Sequence, residues 1–364
     1  MPAVERAAGA GRARRRDDML WAIRFPAHTD RPAMSLPHRA APAGVHVIDT
    51  LYGRPRLDAC YLLVDAGEAA LVDTGPANSA DTVMAAIAAA GVSPSQVRYL
   101  IVTHVHLDHA GGAGTLMQRL PAATLVVHPR GARHMIDPGR LWAGAAAVYG
   151  EAEMERSFGA MVPVPAERVL EAPEGTGLAL GGRRLHLLDT PGHARHHLCV
   201  WDADHRTLLA GDTFGLCFPE LDTGRGPFIF PTSAPVQFDP HAWHATLRRF
   251  AELDPECVCP THYGPVRDIP PLIADLDRRI DEVAQLARKF AGHPAGDARH
   301  EGMKRALREH WIGELRKHGC RLSEDRIMGV IGMDVEVNVQ GLEVWIDRDR
   351  AGPRSEVRGP SNCR

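Results

Sequence analysis

Aromatic side chains make up only 5% of this 364-residue chain, and no uncharged apolar run approaches the roughly 18 residues that a membrane-spanning helix needs. No membrane partner is therefore expected. Charge of neither sign dominates: 42 Lys and Arg against 45 Asp and Glu leave a net charge of −3. That balance offers no general attraction for nucleic acid or an anionic surface. Cysteine is sparse and odd in number, seven residues from Cys60 to Cys363, too scattered to staple a secreted domain. A reducing, cytoplasmic setting is the expectation. No internal repeat breaks the chain into units. What remains is a globular composition, 45% hydrophobic and 24% charged, in a chain long enough for one large domain with an appendage.

The first forty residues differ from the rest. They are rich in Ala, Arg and Pro, with Arg12, Arg14, Arg15 and Arg16 clustered before two aspartates, and no apolar segment follows as a secretory signal would require. Residues 1–44 are read as a disordered leader or as upstream sequence of a start at Met19 or Met34. From residue 45 short apolar runs end in turn or acidic residues, as in Tyr61 to Asp65 and Ala70 to Gly75, and these read as strands. Ala80 to Ala90 carries Val83, Met84 and Ile87 at helical spacing, with Gly91 as its stop. Further strands are expected at 98–103, 124–128, 184–189 and 257–259. A hairpin is expected between 198–202 and 207–210. Helices are expected at 111–120, 139–158, 242–252, 272–290, 303–317 and around 335–346. Strands alternating with helices in two sets, then a helical tail, predict an α/β sandwich over 45–270. A helical subdomain would follow at 271–350, and a disordered tail at 351–364.

The informative segment is Thr103-His104-Val105-His106-Leu107-Asp108-His109-Ala110-Gly111-Gly112. Three histidines and an aspartate within six residues, directly after a buried-type strand, are the residue types that ligate zinc or iron. Side chains two apart in an extended segment point the same way, so His104 and His106 can share one ion while Asp108 and His109 reach a second. Each ion then needs ligands from elsewhere. His193, Asp212 and His262 each stand beside a turn-former at the end of another strand, and they supply one histidine to each ion and a carboxylate to bridge them.

These landmarks, with Asp73 in Leu71-Val72-Asp73-Thr74-Gly75, resemble the metallo-β-lactamase fold superfamily over roughly residues 45–265. The resemblance implies a four-layer αββα sandwich and a pair of divalent ions, zinc before iron or manganese. His104, His106 and His193 would hold one, Asp108, His109 and His262 the other, with Asp212 between them. It also implies that Asp73 orients the histidine loop without binding metal. The second site lacks the cysteine of the true lactamases. Cys217 is read as a packed thiol, and Cys257 and Cys259 as alternating strand residues.

Two such ions sharing a water would lower its pKa toward about 7 and stabilise an oxyanion, so no serine or cysteine nucleophile is needed. Asp108 is the expected catalytic proton acceptor. The expected substrate is a small ester, thioester or lactone, with Tyr61, Phe214 and Tyr263 as candidate substrate contacts. The aromatic loop Phe214 to Pro240 is the expected wall of the pocket. An iron-dependent persulfide dioxygenase and a phosphodiesterase are the alternatives on the same ligand set. The basic signature of hydroxyacylglutathione hydrolases is not evident in the tail. The tyrosine that quorum-signal lactonases carry after the bridging aspartate is missing from Thr213 to Phe218. A scaffold role would show lost ligands, and none is lost. The tail is a candidate for homodimer contacts or for covering the site.

Overall fold

The computed structural model describes residues 39–233 and 236–350. Almost all of the expected leader, the whole expected tail after residue 350 and Cys363 lie outside the described residues. Inside the segment read as a leader, Arg39 is already engaged. Its guanidinium donates to both oxygens of Asp222, at 2.6 and 2.7 Å, and to the carbonyls of Tyr263 and Cys217.

Eleven strands among the described residues form two sheets. The first comprises β1 (Val45–Asp49), β2 (Ala59–Asp65), β3 (Glu68–Val72), β4 (Val97–Ile101), β5 (Thr124–Val127) and β6 (Val169–Glu171), in spatial order 1-2-3-4-5-6. The β1–β2 and β2–β3 pairs are antiparallel and the rest parallel. The second comprises β7 (Gly177–Leu180), β8 (Arg183–Asp189), β9 (Leu198–Asp202), β10 (Thr207–Gly211) and β11 (Cys257–Pro260), in order 11-10-9-8-7. There β9 and β10 pair as a hairpin with Trp201 opposite Leu208. The strands β6 and β7 escape the sequence reading because they are short and half-exposed, with Leu170 38% accessible.

The helices are α1 (Ala80–Ala89), α2 (Leu107–Ala110), α3 (Ala113–Arg119), α4 (Pro129–Ile136), α5 (Gly139–Tyr149), α6 (Glu151–Ser157), α7 (Pro240–Leu253), α8 (Ile269–Arg288), α9 (Asp297–Lys317) and α10 (Glu324–Arg350). The single helix expected over 139–158 is two, divided at Gly150, whose φ of 82° breaks the helical backbone.

Strand β2 shows how the layers arise. Cys60 and Leu62 face the helices α1, α3 and α4, while Ala59, Tyr61 and Leu63 face the second sheet. A strand covered on both faces reads as a continuous apolar run. Between the sheets, Tyr61, Val72 and Ile101 meet Leu185, Val200 and Leu209. The outer face of the second sheet, through Trp201, Leu208 and Ala210, packs on α7 to α10. The result is the four-layer αββα sandwich, and the C-terminal helices share one continuous core with its outer face.

The aromatic loop belongs to that core. Phe214, Phe218, Phe228, Phe230 and Phe238 are all 0% exposed. Phe230 lies 5.4 Å from Trp311 of α9, and Phe238 lies 5.5 Å from Trp345 of α10. The five rings therefore face the core, and Phe214, packed on Phe250, is buried. Burying each phenylalanine contributes about 1.5–3 kcal/mol, which is what holds a proline-broken segment in place.

Candidate metal centre

The expected ligands, and Asp73 behind them, lie just past the C-terminal ends of strands, with Asp108 and His109 on the short helix α2. Asp73 follows β3, His104 to His109 follow β4, His193 follows β8, Asp212 follows β10 and His262 follows β11. Both sheets deliver these ends to one edge of the sandwich. There the ligand atoms of His104, His106 and His193 lie within 4.8 Å of one another, as do those of Asp108, His109 and His262. Asp212 joins the groups: one of its oxygens is 3.3 Å from His109 Nε2 and 3.7 Å from His262 Nε2, and the other is 3.6 Å from His193 Nε2.

The outward ring nitrogens explain what faces inward. His109 Nδ1 donates to Asp73 at 2.9 Å, His262 Nδ1 to the Leu57 carbonyl at 2.7 Å and His193 Nδ1 to the Thr232 carbonyl at 3.1 Å. The hydroxyl of Thr103 donates to Asp73, so its lone pairs are open to the Nδ1–H of His104 at 3.1 Å. Each bond fixes a tautomer whose Nε2 lone pair points into the cluster. The Nε2 atoms of His104 and His193 then converge on Nδ1 of His106 at 2.8 and 3.0 Å. Buried with them, His109 Nε2 and Asp212 Oδ1 have no hydrogen-bond partner.

Lone pairs and carboxylate oxygens crowded in this way repel unless a cation sits between them. The electrostatics say the same. Burial and neighbouring imidazoles hold His104 and His106 well below the usual histidine range. Burial also opposes charge on His109 and His262, yet Asp212 and Asp108 outweigh it, raising His109 strongly and pushing His262 up to about 10. Half the cluster is thus ready to donate lone pairs and the other half demands positive charge. This residue set fits divalent cations of the zinc and iron type.

Asp73 takes the orienting position, at φ 58°, accepting from Thr103 N, Thr103 Oγ1, His109 Nδ1 and Thr261 Oγ1. Two of the three expected substrate contacts are buried. Tyr61 is 1% exposed and its hydroxyl donates to the Pro260 carbonyl, because strand parity turns it between the sheets; Phe214 is in the core. Tyr263 is half-buried beside His262. Cys217 is buried with its thiol against the Tyr263 carbonyl and its backbone N–H donating to the His262 carbonyl, and its sulfur belongs to none of the ligand groups.

Sequence reasoning missed Thr103, Thr261, Thr232 and His197. His197 is buried, with Nδ1 against Thr190 and Nε2 accepting the backbone N–H of Asp212. A signal existed for two of these: a threonine immediately precedes His104 and His262 at two strand ends. Nothing in the sequence marked Thr232, which acts through its carbonyl.

The family model of the metallo-beta-lactamase superfamily matches residues 53–262, and the chain belongs to that superfamily of metal-dependent hydrolases. Among its relatives, a hydroxyacylglutathione hydrolase of Xanthomonas axonopodis is 31% identical over 251 residues, covering 66% of this chain and 77% of that protein. A metallo-beta-lactamase fold-containing protein of Sulfurisphaera tokodaii is 29% identical over 214 residues, 58% of this chain and 74% of that one. A solved metallo-beta-lactamase family protein of Thermus thermophilus shares the fold with a TM-score of 0.60 at 20% identity, over 85% of this chain and 94% of that chain. No helix among the described residues is long and apolar enough to cross a membrane.

Proposed function

We propose that this chain hydrolyses a small ester, thioester or lactone with an apolar acyl part, using two divalent ions. The observation that carries the reading is the convergence of seven ligand-type residues into two groups joined by Asp212. His104, His106 and His193 would hold one ion, and Asp108, His109 and His262 the other, with a carboxylate oxygen of Asp212 toward each. Ions so placed would supply hydroxide at neutral pH and Lewis-acid polarisation of an acyl oxygen.

The chain's own residues supply the rest. Asp108 has the most exposed of the carboxylates there, at 27%, with its oxygen 3.5 Å from His262 Nε2. Burial pushes its carboxyl up, but His109 and His262 outweigh that and hold it well below the usual range. Partly exposed beside the ligand groups, it stands where it could accept a proton from the attacking water and pass it to the leaving group. Beside it, Leu107 packs with Met154 and Phe158, and Tyr52, Leu141 and Trp142 lie partly buried against them. Leu107 stands between His106 and Asp108 in the chain, and a shelf anchored there would favour an apolar acyl group.

The test is a metal-loaded assay across thioester, lactone, phosphodiester and persulfide substrates. Acyl hydrolysis is expected, falling by about 10²–10⁴-fold in Asp108→Ala. Oxygen uptake on the persulfide with bound iron, without acyl hydrolysis, would overturn the proposal.

A further inference from the structure

Asn338 is a polar side chain in the wrong company. It lies in the interior of α10, 2% exposed, on the face that carries Val335, Val339 and Leu342 into the core. Asparagine is a poor helix former, and a buried amide costs free energy unless it is bonded. Its partner is Ser233, in the long loop before α7. The Ser233 backbone N–H donates to Asn338 Oδ1 at 2.5 Å, and the Ser233 hydroxyl lies 2.9 Å from the Asn338 carbonyl and 3.0 Å from Oδ1.

The residue before Ser233 is Thr232, whose carbonyl accepts the Nδ1–H of His193. A continuous chain of bonds therefore runs from the C-terminal helix to the outward nitrogen of one ligand histidine. His193 sits on a turn that follows Gly192 at φ 146°, where a Cβ would stand 2.6 Å from the Trp243 side chain. The turn carries His193 past α7 to the cluster, and the Thr232 carbonyl sets which ring nitrogen faces inward. The other ligand group has no such tie: His262 leans on the Leu57 carbonyl and His109 on Asp73.

We infer that Asn338 is a positioning residue for His193, fixing the Thr232 carbonyl through Ser233 so that His193 presents its Nε2 lone pair to the ion shared with His104 and His106. The inference rests on the two-ion reading above. The hydrogen-bond chain from Asn338 reaches His193 and neither His109 nor His262, so the two sites must respond differently when Asn338 changes.

Cobalt(II) supplies a readout independent of activity, because site affinities follow from chelator competition and the ligand environment from the visible absorption. The wild-type chain should bind two cobalt ions. In Asn338→Ala one site should weaken by about 10–100-fold, the range for lost outer partners of metal-binding histidines, while the other keeps its affinity and spectrum. Asn338→Asp keeps an acceptor for Ser233 N–H at the same reach and should restore the weakened site. Asn338→Gln moves the acceptor by one methylene and should not, so the Asp and Gln pair carries the test if the alanine variant fails to fold. Two unchanged sites in a folded Asn338→Ala or Asn338→Gln variant, or an equal loss at both, would overturn the inference while leaving the two-ion reading standing. A wild-type chain that binds no cobalt would end both.

Discussion

Replacing Asp73 with Asn should disable one half of the metal centre and leave the other intact. Asp73 is held at φ 58°, a left-handed conformation that asparagine tolerates as well as aspartate, so the backbone has no reason to move. The Thr103 backbone N–H can only donate, and it reaches Oδ1 at 2.7 Å. The new amide must therefore keep its oxygen there and turn its NH₂ toward the Oδ2 position. At that position His109 Nδ1 lies 2.9 Å and Thr261 Oγ1 2.8 Å away. The threonine hydroxyl can rotate to accept. His109 can accept only by moving its proton to Nε2, which then points at Asp212, 3.3 Å away, instead of offering a lone pair. Exchanging charge-assisted bonds for neutral ones should cost about 1–3 kcal/mol of stability. Affinity at the Asp108, His109 and His262 site should fall by about 10–100-fold, with the His104, His106 and His193 site unaffected. Chelator competition on folded Asp73→Asn protein measures both. Two sites of wild-type affinity would refute the tautomer argument.

Phe230→Ala should cost about 3–5 kcal/mol in denaturant unfolding, since the ring is fully buried against Trp311. It should leave the relative rates on different acyl groups unchanged, and a shift in selectivity would restore the loop as a substrate wall. Trp142→Ala should do the reverse, lowering kcat/KM for a long-chain acyl thioester relative to an acetyl one by about tenfold, the equivalent of roughly 1.4 kcal/mol of apolar contact. An unchanged ratio would remove the shelf around Leu107 from the account. On α7, burial opposes charge on His244, but hydrogen bonds from its two nitrogens to Asp277 and Asp281 prevail and raise its pKa above 6.5. Its stabilisation is fully present below the unfolded value and is lost as pH rises through the folded one. The melting temperature of the wild type should accordingly exceed that of His244→Gln at about pH 6 and converge on it by about pH 9. A constant gap would contradict the ion-pair assignment.

The parts of this protein that were legible in its sequence are those whose meaning is local. His104 to His109 announce ligands by type and spacing, and Val335, Val339, Leu342 and Ile346 announce the middle of α10 by period. The β9–β10 hairpin is written in two apolar runs around a short polar turn. The misread residues are those whose surroundings are set by distant chain. Tyr61 could have faced an open cleft or a second sheet, and only the arrival of β8 to β11 decides it. The prolines and phenylalanines of 214–238 look like an exposed loop until α8 to α10, much later in the chain, cover them. Thr232 contributes a backbone carbonyl, which no side-chain pattern encodes.

The most direct test of the central claim is the metal content of the folded chain after equilibrium dialysis against zinc, measured beside the His193→Ala and His262→Ala variants. The account predicts two ions per wild-type chain and one in each variant, each missing from a different site. A single ion in the wild type that survives either substitution would contradict it.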